Sequence, residues 1–183
     1  DADVIISPML LAQTAAALDH KEPSYASGAV QLGRAQSWAT RAYGAFYLQT
    51  PFMKQAAPGC GYFAMNRQGR RRWAQWPAII SDDTFARLSF SPRERQQLEA
   101  SYEWPLVEGL RNLIGVRRRQ NAGVTELAEK NPELLQNDAK TSFAPIEVLK
   151  AALCHPFGTI VYGIVSLTVK LSPAKTTDWK RGR

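Results

Sequence analysis

Val4-Ile5-Ile6 runs straight into Ser7-Pro8, and this junction constrains the fold more than any other stretch of the 183-residue chain. Three β-branched side chains favour an extended segment. Pro8 has no N–H to give a sheet, but its fixed φ suits the first position of a helix, and Ser7 is a good N-cap. A strand must stop and a helix must begin within two residues. Met9-Leu10-Leu11 and Ala15 to Leu18 supply the apolar face of that helix, and residues 19–23 break it. A strand that feeds a helix in this way is the building unit of α/β folds.

The alternation continues downstream. Residues 25–32 read as a second strand. Residues 36–49 read as an amphipathic helix, with Trp38, Ala42, Ala45 and Phe46 near the 3.6-residue period. Residues 51–58 read as a loop. Gly59-Cys60-Gly61 makes a tight turn into a strand over 62–65, and Asn66 caps a short basic helix over 67–73. After Pro77, Ile79-Ile80 reads as a short apolar strand that delivers Ser81-Asp82-Asp83 at its end, with a helical turn over 84–88. Residues 102–107 read as a strand broken at Pro105. Leu106, Leu110, Leu113 and Ile114 then line a helix face, residues 121–142 read as a polar linker with a weak helix, and residues 146–153 resume a helix before Pro156. The apolar stretch 157–171 is shorter than the roughly twenty residues a spanning helix needs. The expectation is one α/β unit over residues 1–105, followed by a helical, basic, membrane-proximal region over 106–183.

Charge sorts the partners. The net charge of +7 falls entirely after residue 60, because Lys21, Arg34, Arg41 and Lys54 balance Asp1, Asp3, Asp19 and Glu22 before it. A basic half suits an anionic partner: a phosphate-bearing substrate, an acidic membrane surface or nucleic acid. Arg67, Arg70, Arg71 and Arg72, with Trp73 and Trp76 behind them, read as a solvated helix face anchored by its tryptophans. Cys60 and Cys154 imply no disulfide framework, and neither His20 nor His155 has a spacing that would make Cys60 a nucleophile.

Two acidic motifs carry chemistry. Asp1 and Asp3, one residue apart at an apolar strand, are hard oxygen donors of the kind Mg²⁺ and Mn²⁺ prefer alongside a substrate diphosphate. Asp82 and Asp83 are adjacent like charges, which raises a carboxyl pKa toward the range of a general base. Asp82 is expected to be partly structural and Asp83 catalytic. Arg87, one helical turn on, can pair with Asp83 or with a phosphate. Gly59, Cys60 and Gly61 permit close backbone approach to a substrate.

Taken in order, Asp1-Ala2-Asp3-Val4, the segment from Gly59 to Arg70 and the segment from Trp76 to Arg87 resemble the C-terminal half of a bacterial family 2 glycosyltransferase of the GT-A type. The resemblance covers roughly residues 1–90. It implies that Asp1 and Asp3 hold a divalent metal, Mn²⁺ or Mg²⁺, with a nucleotide-diphosphate sugar. It implies that the glycine turn builds the acceptor side and that Asp83 is the base of an inverting transfer, with Asp82 where the family usually has Glu. There is no Gln-x-x-Arg-Trp motif after Asp83, so processive synthases of the cellulose or hyaluronan type are a poor match. The nucleotide-binding half of such a domain would precede Asp1. The expected acceptor is a saccharide or lipid-linked saccharide of envelope or extracellular polysaccharide synthesis. The expected location is the cytoplasmic face of the cell membrane, peripheral or weakly anchored. A second reading is a non-catalytic basic module that binds anionic membranes or nucleic acid, with nucleic acid the less expected of the two.

Overall fold

The computed structural model describes residues 3–138 and 142–172. Asp1 lies outside the described residues. In chain order the elements are β1 (Ile5–Ile6), α1 (Pro8–Leu18), β2 (Tyr25–Leu32), α2 (Trp38–Tyr47), the single turn α3 (Pro51–Lys54), β3 (Ala64–Met65) and α4 (Arg67–Arg70). They continue with α5 (Asp82–Leu88), β4 (Arg95–Trp104), α6 (Leu110–Lys130), α7 (Pro145–Cys154) and α8 (Pro156–Leu171), with 3-10 turns at Pro92–Glu94 and Pro132–Asn137. The class is mixed α/β, as the strand–helix alternation predicts.

One four-stranded sheet has the order β1-β4-β2-β3. β4 lies parallel to β2, with Tyr25 opposite Arg95 and Leu32 opposite Trp104. β1 and β3 run antiparallel on the outer edges of β4 and β2. A parallel pair needs a long crossover, and the chain from α2 through α5 supplies it. The Ser7-Pro8 junction behaves as read: the Leu10 amide donates to Ser7 Oγ at 3.2 Å. α1 seats fully buried Leu10 on the sheet. It does so over Gly28, where a Cβ would stand 2.8 Å from both Leu10 Cδ1 and the Ala100 carbonyl oxygen.

Four expectations are corrected. Ile79-Ile80 is not a strand; the Ile80 amide donates to Glu126 Oε2 at 2.9 Å, so a side chain from α6 takes the place of a sheet partner. Asp82 and Asp83 consequently open helix α5 rather than close a strand. Residues 121–130 are no linker but the second half of the continuous 21-residue helix α6. The strand expected at 102–107 is instead β4, beginning at Arg95 and ending before Pro105. The α2 face also turns: Thr40, Tyr43, Gly44, Phe46 and Tyr47 are buried, whereas Trp38 is 57% exposed.

Three apolar clusters hold these elements together. Tyr43 and Tyr47 of α2 pack with Leu113 of α6 and with Val161, Val165 and Val169 of α8. Tyr25, Ala57, Ala86 and Phe90 form a second cluster between β2 and α5. Phe85 and Leu88 of α5 meet Leu127 of α6 in a third. α5 is thus gripped on two sides. Among the described residues no single helix is long and apolar enough to cross a membrane; α7 and α8 reach that length only together, and they are bent by 119°.

Candidate functional site

The glycine turn is the centre of the site. Gly59 and Gly61 take φ of +74° and +79°, a region that side chains with a Cβ rarely adopt. Both also lie against neighbours that leave no room for one. A Cβ on Gly59 would stand 1.9 Å from Tyr25 Oη, and one on Gly61 would stand 2.9 Å from Val4 Cγ1 and 2.7 Å from Trp104 Cδ1. Val4, the residue directly after Asp3, therefore sits on the turn. Between the glycines, the Cys60 carbonyl accepts from the Tyr102 hydroxyl of β4. Ala57, just before the turn, is held at φ +50° while its amide donates to Gln97 Oε1 at 2.8 Å.

The Cys60 side chain is buried, and burial pushes its thiol up to about 12. A raised thiol pKa lowers the share of nucleophilic thiolate. The value of Cys60 at this position is its small size and its backbone carbonyl.

Asp82 and Asp83 are in the first turn of α5, where negative charge is favourable. The Asp83 amide donates to Asp82 Oδ1 at 2.9 Å, and the Thr84 amide donates to Asp83 Oδ1 at 2.6 Å. Burial is the largest cause that pushes the Asp83 carboxyl above the usual carboxylate range. The Thr84 hydrogen bonds pull it back, the Asp82 charge adds to the rise, and Arg87 opposes it. Asp83 is solvent-exposed, so water screens much of this effect. Asp83 is also within electrostatic reach of both Tyr25 and Cys60.

Arg87 does not pair with Asp83. It is buried, bonded to Asp138 Oδ1 at 3.4 Å and to Gln55 Oε1 at 3.2 Å, with its guanidinium 5.7 Å from the Phe52 ring centre. It acts as a fixed positive charge behind the acidic pair. Arg95 of β4, also buried, donates to the Arg87 and Phe90 carbonyls at 3.0 and 3.1 Å and pins the end of α5.

Sequence reasoning missed three positioning features. Gly123 of α6 faces the start of α5, where a Cβ would meet Ser81 Oγ at 2.1 Å. Glu126 holds Ile80, as described above. Together they set the height of the acidic pair. The third is Tyr25, whose buried hydroxyl faces Gly59 and has no hydrogen-bond partner among the described residues. No periodicity in the sequence distinguishes it from an ordinary strand tyrosine.

Asp3 is exposed and makes no ion pair among the described residues. Its carboxylate therefore remains open to a cation. No group of three or more His, Cys, Asp or Glu side chains capable of holding a metal occurs among the described residues. An ion that takes most of its ligands from a substrate diphosphate and water needs no such group.

Arg70 and Arg72 of the basic cluster are committed within the fold, whereas Arg67 and Arg71 are exposed. Arg70 donates to the Trp73 carbonyl at 2.6 Å and lies 5.3 Å from the Trp73 ring centre. Arg72 pairs with Glu94 and donates to it at 3.1 Å, which lowers the Glu94 carboxyl to about 2. Comparison of the chain with protein-family models, curated proteins and solved structures found no match.

Proposed function

We propose that this chain forms the acceptor side of a GT-A-type glycosyltransferase. It takes part in inverting, metal-dependent transfer of a sugar from a nucleotide-diphosphate donor to an acceptor hydroxyl, in envelope or extracellular polysaccharide synthesis. The observation that carries the reading is convergence. Val4, next to Asp3, packs against Gly61 of the glycine turn, and Asp83 is within electrostatic reach of Cys60.

In this reading Asp83 is the general base. Its carboxylate removes the proton of the acceptor hydroxyl as the oxygen bonds to the anomeric carbon. The bond from that carbon to the diphosphate oxygen breaks on the opposite face, and the diphosphate departs with the electron pair. A raised pKa suits this task, because a stronger base takes the proton more readily near neutrality. Asp82 and the Thr84 amide orient the carboxylate. The glycine turn is packed under Tyr25, Val4 and Trp104, so its glycines serve close packing within the fold, and Arg87 lends positive charge nearby. Asp1 and Asp3 would hold Mn²⁺ or Mg²⁺, which when bound neutralises charge on the diphosphate.

The test is transfer of labelled sugar from a panel of nucleotide-diphosphate sugars to mixed saccharide acceptors, with Mn²⁺ present and then chelated. The reading expects donor-specific transfer that chelation abolishes and that Asp3→Asn weakens by about tenfold or more. Transfer indifferent to both chelation and Asp3→Asn overturns the metal assignment.

A further inference from the structure

α8 carries two apolar faces and uses only one of them. Gly158, Val161, Val165 and Val169 are buried against α2 and α6. A second line at helical spacing, Phe157, Ile160, Ile164, Leu167 and Leu171, is between 45% and 77% exposed. Such a line repeats every three to four residues and forms one continuous stripe. The remaining face is polar: Tyr162, Ser166 and Lys170 border a groove of about 330 Å³ shared with Arg117 and Asn121 of α6. α7 repeats the pattern, with Ile146, Leu149 and Leu153 exposed at 57%, 54% and 73% and only Ala151 buried. At the start of α8 the exposed rings of Trp38 and Phe157 meet edge to face at 6.1 Å.

Charge decides what covers this surface. From residue 142 to the end the chain carries Lys150, Lys170, Lys175, Lys180, Arg181 and Arg183 against only Glu147 and Asp178. The cation excess of this part of the sequence works against a second copy as the occupant. An anionic bilayer offers the complementary pair, acyl chains for the stripe and lipid phosphates for the basic flank. Aromatic rings such as Trp38 and Phe157 suit the headgroup level.

We infer that α7 and α8 lie in the plane of an anionic membrane surface. The exposed stripes enter the headgroup–acyl boundary, and Lys150 and Lys170 engage lipid phosphates. The bent pair lies on the bilayer and does not cross it. The inference is independent of sugar transfer and is read without it.

The test is vesicle flotation of the full chain, with about three parts phosphatidylcholine to one part phosphatidylglycerol against phosphatidylcholine alone. The chain is expected to float with the anionic vesicles and to bind neutral ones at least about tenfold more weakly. Ile160→Glu with Leu167→Glu removes two exposed members of the stripe without touching the core, and should cost about tenfold or more in binding. Three results overturn the inference: failure of the parent chain to float with anionic vesicles, unchanged binding by the double variant, or dimerisation that these substitutions abolish in a chain that ignores vesicles. The flotation of the parent chain decides the question even if the double variant does not fold.

Discussion

Asp83→Asn is expected to lower sugar transfer by about 10²–10⁴-fold, the range contributed by a positioned general base, and to leave the fold intact. Asn keeps the carbonyl oxygen that accepts from the Thr84 amide at 2.6 Å, so the first turn of α5 retains its cap. The sign of the stability change separates a catalytic residue from a structural one. The folded state raises the Asp83 pKa above its ordinary 3.8, so its protonated form favours folding. That contribution is fully present below 3.8 and is lost as pH rises through the folded value. At neutral pH the parent therefore carries a crowded carboxylate that the Asn variant lacks. The variant should melt at or slightly above the parent temperature near pH 7, and the difference should shrink under acid. Parent activity should rise with pH through the same raised pKa, because the base acts only when ionised. A variant that keeps normal turnover removes Asp83 from the role of base; one that unfolds makes its role structural.

Gly59→Ala carries the largest expected loss of stability. The left-handed backbone at φ +74° costs a side chain with a Cβ on the order of 1–2 kcal/mol. The new methyl would also overlap Tyr25 Oη, whose ring is fully buried between Phe63 and Phe90 and has nowhere to retreat. Overpacking of this kind adds about 1–3 kcal/mol. Urea unfolding should show a total near 3 kcal/mol, with unchanged slope. Tyr25→Phe supplies the internal control. It removes a buried hydroxyl that has no partner among the described residues, so by itself it should be neutral or stabilising. In that background Gly59→Ala should lose clearly less, since much of the overlap is gone. Additive losses would mean that the hydroxyl and the turn are not in contact.

The elements legible in the sequence are those set by local chemistry. Ser7-Pro8 starts α1, residues 25–32 become β2 with the same ends, Asn66 caps α4 by accepting from the Gly69 amide at 2.9 Å, and Pro156 divides α7 from α8. The elements that were misread depend on distant partners. β4 hides because it reads Arg-Gln-Gln-Leu-Glu-Ala-Ser-Tyr-Glu-Trp; its buried positions are Arg95 and Tyr102, and its place comes from backbone pairing on both sides. The second half of α6 hides because its buried positions there are Gly123 and Leu127, too few to make an apolar stripe. Ile79-Ile80 has the composition of a strand, yet a glutamate from α6 satisfies it instead.

The site divides in the same way. Its motifs were readable one at a time, because acidic pairs and glycine turns announce their chemistry through residue type. The packing of Val4 against Gly61 and of Tyr25 against Gly59 was not readable, since it rests on contacts between distant segments. Arg87 looked free to pair with Asp83, and only the fold shows it bonded to Asp138 and Gln55.

The central claim is that the three motifs form one metal- and diphosphate-handling site. The most direct measurement is paramagnetic broadening of backbone amide signals by Mn²⁺ in the presence of a nucleoside diphosphate, which reads proximity without needing turnover. The account predicts broadening concentrated at Asp3 and Val4, at Gly59 to Gly61 and at Asp82 to Thr84, and reversed by Asp3→Asn. Broadening confined to one of these segments, centred elsewhere, or unchanged by Asp3→Asn would contradict it.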